Sequence, residues 1–221
     1  ITKGELLQTF YEIFRDLVGY KGHICFPSFS YSWGFENTEK IFDKINTQGK
    51  VGVFPEFLRS KKETFRTKDP MFSVIINGPN AEDIAKIQKS SFGENSFFHK
   101  IHQLNGKLIT FGLNQYDPTF VHYIEEFYDK NFNKIKYRNL KKFEGFYIEN
   151  GIKSRDEHYV FARNLDSKLR FNDKDLFNDL QNTKKISTIR VGDGTINISD
   201  SNSVFDTSIS GMKKNINYLV S

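Results

Sequence analysis

Cysteine, tryptophan, methionine and proline are all scarce here, at one, one, two and five copies in 221 residues. The single cysteine, Cys25, has no partner for an intrachain disulfide, so the chain shows no sign of an oxidising compartment. It sits in the apolar run Ile24-Cys25-Phe26-Pro27, where a thiol reads as a core side chain and not as a nucleophile. No run approaches the ~18 apolar residues that a membrane-spanning helix needs. No secretory signal is visible, and a cytoplasmic setting is the expectation. The chain starts at Ile1 instead of Met, partway into a pattern, so a preceding segment is expected.

Several chemistries lack their sequence marks. There is no His-Glu-x-x-His and no Cys with His at ligand spacing, so no metal is expected. A Gly-x-Ser-x-Gly elbow, a Walker loop and a Gly-x-Gly-x-x-Gly turn after a strand are all missing. These absences remove the usual hydrolase, nucleotide hydrolase and dehydrogenase readings. The formal net charge is only +5 and the lysines are scattered, which argues against a nucleic-acid face. A small anionic ligand such as a nucleotide-linked cofactor remains compatible with that charge.

What is abundant is the aromatic ring. With 23 Phe and 10 Tyr, and 38% hydrophobic residues overall, the core leans on rings with specific packing geometry. The length suits one domain, or one with an appended subdomain. Leu6, Leu7, Phe10, Phe14 and Leu17 recur on one face and predict a helix over 3–18. A strand is predicted over 23–29, then a long polar loop over 30–48, and a helical run over 51–58. Residues 72–76 read as a strand closed by Asn77-Gly78-Pro79, and Asn80 reads as the N-cap of a helix reaching Lys89. A short helix over 97–104, a strand over 107–113 and a helix over 120–128 follow. The tail beyond 145 has strand-like pieces at 146–149 and 159–162, then a helix over 173–180. It closes with a β-rich end turning at Gly192-Asp193-Gly194. Alternating helices and strands predict an α/β fold.

One segment concentrates reactive groups: Tyr116-Asp117-Pro118-Thr119-Phe120-Val121-His122-Tyr123-Ile124-Glu125. On a helix, residues three and four apart share a face, so His122 has Thr119 one turn before it and Glu125 or Glu126 one turn after. An imidazole suits base chemistry at neutral pH, and a carboxylate beside it fixes its tautomer. Thr119, near a helix start, offers a hydroxyl where negative charge is favoured. The spacing alone leaves Glu125 and Glu126 as rivals. In the 30–48 loop, Glu36, Glu39 and Asp43 read as groups that meet a cationic ligand or as solvated surface charge.

Four blocks in order resemble the aminoglycoside 3-N-acetyltransferase family, the antibiotic acetyltransferases distinct from the GNAT fold. The first is Gly22-His23-Ile24-Cys25-Phe26-Pro27-Ser28-Phe29-Ser30-Tyr31-Ser32. The second runs from Phe42-Asp43 through Asn46-Thr47 and Lys50-Val51-Gly52 to Phe57-Leu58-Arg59. The third is Arg66-Thr67-Lys68-Asp69-Pro70-Met71-Phe72-Ser73-Val74, followed by Gly78-Pro79-Asn80-Ala81. The fourth runs from Phe92-Gly93 through Leu104-Asn105-Gly106-Lys107 to Thr119 and Glu125.

The resemblance implies acetyl transfer from acetyl-CoA to an amine of an amino sugar, with no metal. It implies His122 as base, Thr119 as oxyanion donor and Glu125 supporting the histidine. Ser28, Ser30 and Ser73 match positions near the cofactor, and Tyr31, Asp69 and Glu126 positions near the acceptor. For the fold it implies a three-layer α/β/α core over 1–145 with a central mixed sheet, and a smaller β-rich α+β module over 146–221. The implied partner is a small amino-sugar acceptor, with no nucleic acid and no membrane span; a homodimer is compatible. Asp69-Pro70 stands where drug-modifying members carry His-Pro, which opens surface-polysaccharide amino sugars beside aminoglycosides as acceptors. The family's N-terminal strand and Ser-rich loop have no match before Ile1. Two alternatives stand beside this reading: an idle sugar-binding or assembly protein on the same fold, and an acyltransferase using a formyl or other donor.

Overall fold

A computed structural model describes residues 2–34, 39–112, 116 and 118–221. Their contacts divide the chain into two compact units, each assembled from several stretches. The first comprises 1–91, 95–97 and 142–160; the second comprises 92–94, 98–141 and 161–221.

The first unit opens with helix α1 (Lys3–Val18), as its apolar spacing predicts. Thr2 and Glu5 form a reciprocal capping box, which satisfies amide donors that a helix start leaves free. Phe14 meets Phe26 and Phe54 edge-on, and Phe26 lies 4.7 Å from Phe54. Strand β1 (Ile24–Pro27) carries Phe26, and helix α2 (Phe54–Leu58) carries Phe54. Strand β2 (Ile41–Asp43) precedes α2, and strands β3 (Thr64–Arg66) and β4 (Val74–Asn77) follow. β4 is buried along its whole length and pairs antiparallel with β1 on one side and β3 on the other. This matches the near-continuous apolar run a central strand needs.

Helix α3 (Ala81–Ala85) is shorter than predicted. Asn80 makes no side-chain cap, because its backbone is left-handed (φ 56°), and Lys86 turns extended. Strands β2 and β3 were also not visible in the sequence. β2 pairs parallel with β6 (Arg138–Glu149), Phe42 opposite Tyr147. Gly145 permits this approach: a Cβ there would lie 2.5 Å from the Lys40 carbonyl oxygen and 2.6 Å from the Trp33 indole. β6 pairs in turn with β7 (Ile152–Arg163), and both strands run through residues of both units.

The second unit holds α4 (Phe97–Gln103) from Phe98 onward, β5 (Lys107–Phe111) and α5 (Val121–Phe132). Then come α6 (Lys174–Asn182), β8 (Ile186–Val191), β9 (Gly194–Asp200) and α7 (Ser201–Lys214). The sheet order is β5-β9-β8, all antiparallel, with the predicted turn between β8 and β9. Its buried face is polar: Asn197 donates to Thr110 and accepts from Thr188.

The β-rich segment predicted around Gly192-Asp193-Gly194 is the β8–β9 hairpin, but the chain continues beyond it as a helix, α7, that was not predicted. Val204, Phe205, Ser208, Gly211 and Met212 are its buried residues, at helical spacing. Serines stand at buried positions and hide that period from an apolar count. At Gly211 a Cβ would lie 2.5 Å from the Tyr218 ring, so the bare backbone lets the chain fold back over the helix. The mixed α/β class follows from these elements.

Candidate active site

α5 begins tightly. The Val121, His122 and Tyr123 amides donate three residues back, to Pro118, Thr119 and Phe120, so the first turn is of the 3₁₀ kind. This fixes His122 at the start of the helix with Glu125 one turn on. His122 Nδ1 lies 2.8 Å from Glu125 Oε2. A carboxylate only accepts, so Nδ1 carries the proton.

Glu125 is fully buried, and such a carboxylate needs a counter-charge. Arg138, at the start of β6, supplies it: Nε lies 2.7 Å from Glu125 Oε2. The N–H direction is off line, so this is a charge contact and not a hydrogen bond. Arg138 Nη1 donates to the Phe161 carbonyl at 3.1 Å, and Nη2 lies 3.3 Å from His122 Nε2. Tyr137 has a buried hydroxyl near the same carboxylate. Burial, and then Glu125, push its phenol up, so it stays protonated. The imidazole ring is flanked edge-on by Phe92 (5.4 Å) and Phe171 (6.4 Å).

Glu125 and Glu126 are thereby told apart. Only Glu125 meets His122. Glu126, half-buried, has one carboxylate oxygen buried without a partner among the described residues, and burial pushes it up to about 7. The sign of its effect follows. Below about pH 4.5 the group is protonated folded and unfolded alike, and there is no penalty. Between that pH and about 7 the unfolded chain ionises first, and the penalty on the fold grows to its full size. Glu126→Gln is therefore expected to raise stability at pH 8 by at most about 3 kcal/mol and to leave it unchanged at pH 4. Urea unfolding at the two pH values measures this, and an equal gain at both would count against it.

The other sequence candidates lie in the first unit. Ser28, Ser30 and Ser73 are fully buried. Ser30 donates to the Pro70 carbonyl at 2.9 Å, and Ser73 to the Ser28 carbonyl at 2.6 Å. Arg66 binds Ser73 Oγ at 3.0 Å and the Ser28 carbonyl at 2.7 Å. Ser28 Oγ is buried without a partner among the described residues. Tyr31, half-buried in a left-handed backbone conformation (φ 52°), packs edge-on against Phe29 and Phe72.

Asp69 is buried and accepts the Met71 and Phe72 amides at 2.8 Å each. Burial pushes its carboxyl up, but His158 and these two amides outweigh that and hold it below the usual range. His158 is fully buried, and its Nε2 faces both Asp69 (3.3 Å) and Ser91 (3.1 Å). A nucleophile relay needs the two partners on different ring nitrogens, so this set is structural in geometry. Asp43 caps its own turn through the Ile45 and Asn46 amides. Glu36, Leu113 and Asp117 lie outside the described residues.

Sequence reasoning missed Arg138, Tyr137 and Phe171. A usable signal existed, in that a lone buried carboxylate demands a cation and Tyr137-Arg138 stands close behind the helix. Burial of Glu125, however, is not readable from spacing. Among the described residues no three His, Cys, Asp or Glu side chains converge as metal ligands, and no helix is long and apolar enough to cross a membrane.

A family model described as aminoglycoside 3-N-acetyltransferase matches residues 2–213. No curated protein sequence matches the chain. Among solved structures, AAC-IIIb binary with CoASH superposes with a TM-score of 0.77 at 18% identity, covering 94% of this chain and 83% of that one. Aminoglycoside acetyltransferase AAC(3)-IIb gives 0.77 at 14% identity, covering 95% and 84%. Sisomicin-bound AAC-VIa gives 0.74 at 18% identity, covering 94% and 85%. At such identities the likeness establishes a common fold.

Proposed function

The chain belongs to the aminoglycoside 3-N-acetyltransferase family and is an acyltransferase, and from that premise we propose that it acetylates an amine of an aminoglycoside-type amino sugar, with acetyl-CoA as donor and His122 as general base. The observation that carries the proposal is the pairing of His122 with buried Glu125, Nδ1 to Oε2 at 2.8 Å, which leaves Nε2 on the other side of the ring.

The chemistry needs such a base. An ammonium group has no lone pair and first loses one proton to solvent. The neutral amine then attacks the thioester carbonyl, and the C–N bond forms. His122 Nε2 takes the second proton as charge builds on nitrogen. The C–S bond breaks, and the imidazolium returns the proton to the departing thiolate. The sum is amine plus acetyl-CoA giving amide plus free CoA thiol. Thr119 is assigned as donor to the thioester oxyanion through its hydroxyl, since the first amides of α5 already donate within the turn.

Asp69 was the ground for placing surface-polysaccharide amino sugars beside aminoglycosides as acceptors. Its carboxylate is engaged by two backbone amides and His158, so that departure from the family carries no weight in choosing the acceptor. Ser30 and Ser73 are assigned to bracing their loops, because both hydroxyls donate to backbone carbonyls.

The test is a thiol-release assay of the chain with acetyl-CoA and a panel of aminoglycosides and simple amino sugars. Release should require both substrates and be fastest with an aminoglycoside. Absence of release with every amine, but sugar binding without cofactor, would establish the idle-binding alternative. Release with a formyl donor in place of acetyl-CoA would replace the donor in the proposal.

A further inference from the structure

Arg138 touches both ends of the catalytic pair. A guanidinium is planar, stays charged and only donates. Facing His122 Nε2 at 3.3 Å, it requires Nε2 to hold the lone pair, while Glu125 at 2.8 Å requires Nδ1 to hold the proton. Two contacts on opposite sides of the ring thus select one tautomer, and it is the tautomer that a base needs.

The charges agree with the geometry. Glu125 alone would be an unbalanced buried anion, and His122 would be the cation nearest to hand. An imidazolium has no lone pair and cannot take a proton from an amine. With the Arg138 Nε at 2.7 Å from Glu125, carboxylate and guanidinium cancel, and the imidazole is not needed as the counter-charge. Among the other ionisable groups near the ring, Tyr137 stays protonated, Asp129 accepts the Ile135 amide at 2.9 Å, Lys130 pairs with Glu94 at 3.5 Å, and Glu126 is acted on by burial and Lys130.

The three contacts of the guanidinium differ in length. Those to Glu125 (2.7 Å) and the Phe161 carbonyl (3.1 Å) anchor it, and the one to Nε2 (3.3 Å) is the longest. An incoming amine can replace that last contact without disturbing the other two.

We propose that Arg138 is a positioning residue of the acyl transfer, holding His122 neutral and in the Nδ1-protonated tautomer until the acceptor amine displaces it from Nε2. This rests on the reading of His122 as base.

The test compares Arg138→Met and Arg138→Lys with the unaltered chain and with His122→Ala. Thiol release is followed across pH, and nitrogen NMR of the imidazole is recorded without substrate. Arg138→Met is expected to lower kcat roughly 10- to 100-fold with KM within about twofold, short of the ~10⁴-fold cost of a locked wrong tautomer. The acidic limb of its kcat/KM profile should move to higher pH, and the spectrum should show an imidazolium near neutrality. Arg138→Lys keeps the charge but loses the fork, so the limb should return toward its original pH while kcat recovers only in part. An unchanged profile and spectrum in Arg138→Met would overturn the proposal, even with a fall in kcat, because structural support alone gives that result. If Arg138→Met does not fold, an unaltered kcat in Arg138→Lys overturns it. The failures stay distinguishable. A normal rate in His122→Ala removes the base assignment itself, whereas a dead His122→Ala beside normal Arg138 variants removes only this inference.

Discussion

His122→Ala is expected to lower kcat by about 10² to 10⁴, the usual contribution of a positioned general base, with KM little changed. In free energy this is about 3–5 kcal/mol of lost transition-state stabilisation. The fold should survive. The imidazole is partly exposed, and its removal leaves the Glu125–Arg138 ion pair in place, so no buried charge loses its counter-ion. Thermal unfolding of the variant should therefore stay within about 1 kcal/mol of the parent, as for most substitutions that leave no buried group unpaired. Two further observations separate loss of a base from loss of shape. The acidic limb of the rate profile should vanish, and added imidazole should restore part of the rate. A variant with near-normal turnover would remove His122 from the mechanism, and so would one whose loss of rate tracks a loss of folded protein.

How far the sequence could have led to this site is seen in the residues themselves. His122 and Glu125 lie on α5 and Thr119 in the turn just before it, so helical spacing brings the three to notice together. The same period cannot separate Glu125 from Glu126, because three and four residues along a helix point nearly the same way. What separates them is Arg138, which reaches Glu125 from another element. A contact between a helix and a strand is tertiary and leaves no period in the sequence. The same limit explains the fold. α1, β4 and α5 advertise themselves through apolar spacing, and the structure has each of them. β2 and β3 have three residues each, too few to show a period, and depend on β6 and β4 for their hydrogen bonds. α7 was concealed by the serines at its buried positions.

Asp69 teaches the converse. By its place in the family motif it read as an acceptor-facing group, yet burial and two amide donors give it a structural task. A short acidic side chain followed by Pro-x-x is well suited to capping a turn, since its oxygen reaches amides two and three residues on. Motif position says where a residue stands, and local hydrogen bonding says what it is free to do.

Glu125 gives the largest expected effect on stability. Its carboxylate is fully buried and balances Arg138, so Glu125→Ala leaves a largely buried guanidinium unpaired and opens a void beside it. Breaking a buried pair from one side costs about 3–5 kcal/mol. Urea unfolding should show that loss, and kcat should fall as well, since the imidazole loses the acceptor that fixes its tautomer. A single variant cannot separate the two effects. The double variant Glu125→Leu with Arg138→Met can, because an apolar pair of similar volume in place of a buried ion pair is often neutral for stability. It is expected to recover most of the lost stability and none of the lost rate. Were the double variant to recover turnover along with its fold, the carboxylate would be a structural counter-ion only, and His122 would act without it. Were Glu125→Ala as stable as the parent, the ion pair would not be what holds α5 against the start of β6. The expected outcome, stable and inactive, places the Glu125–Arg138 pair in the chemistry and shows that the fold itself does not require it.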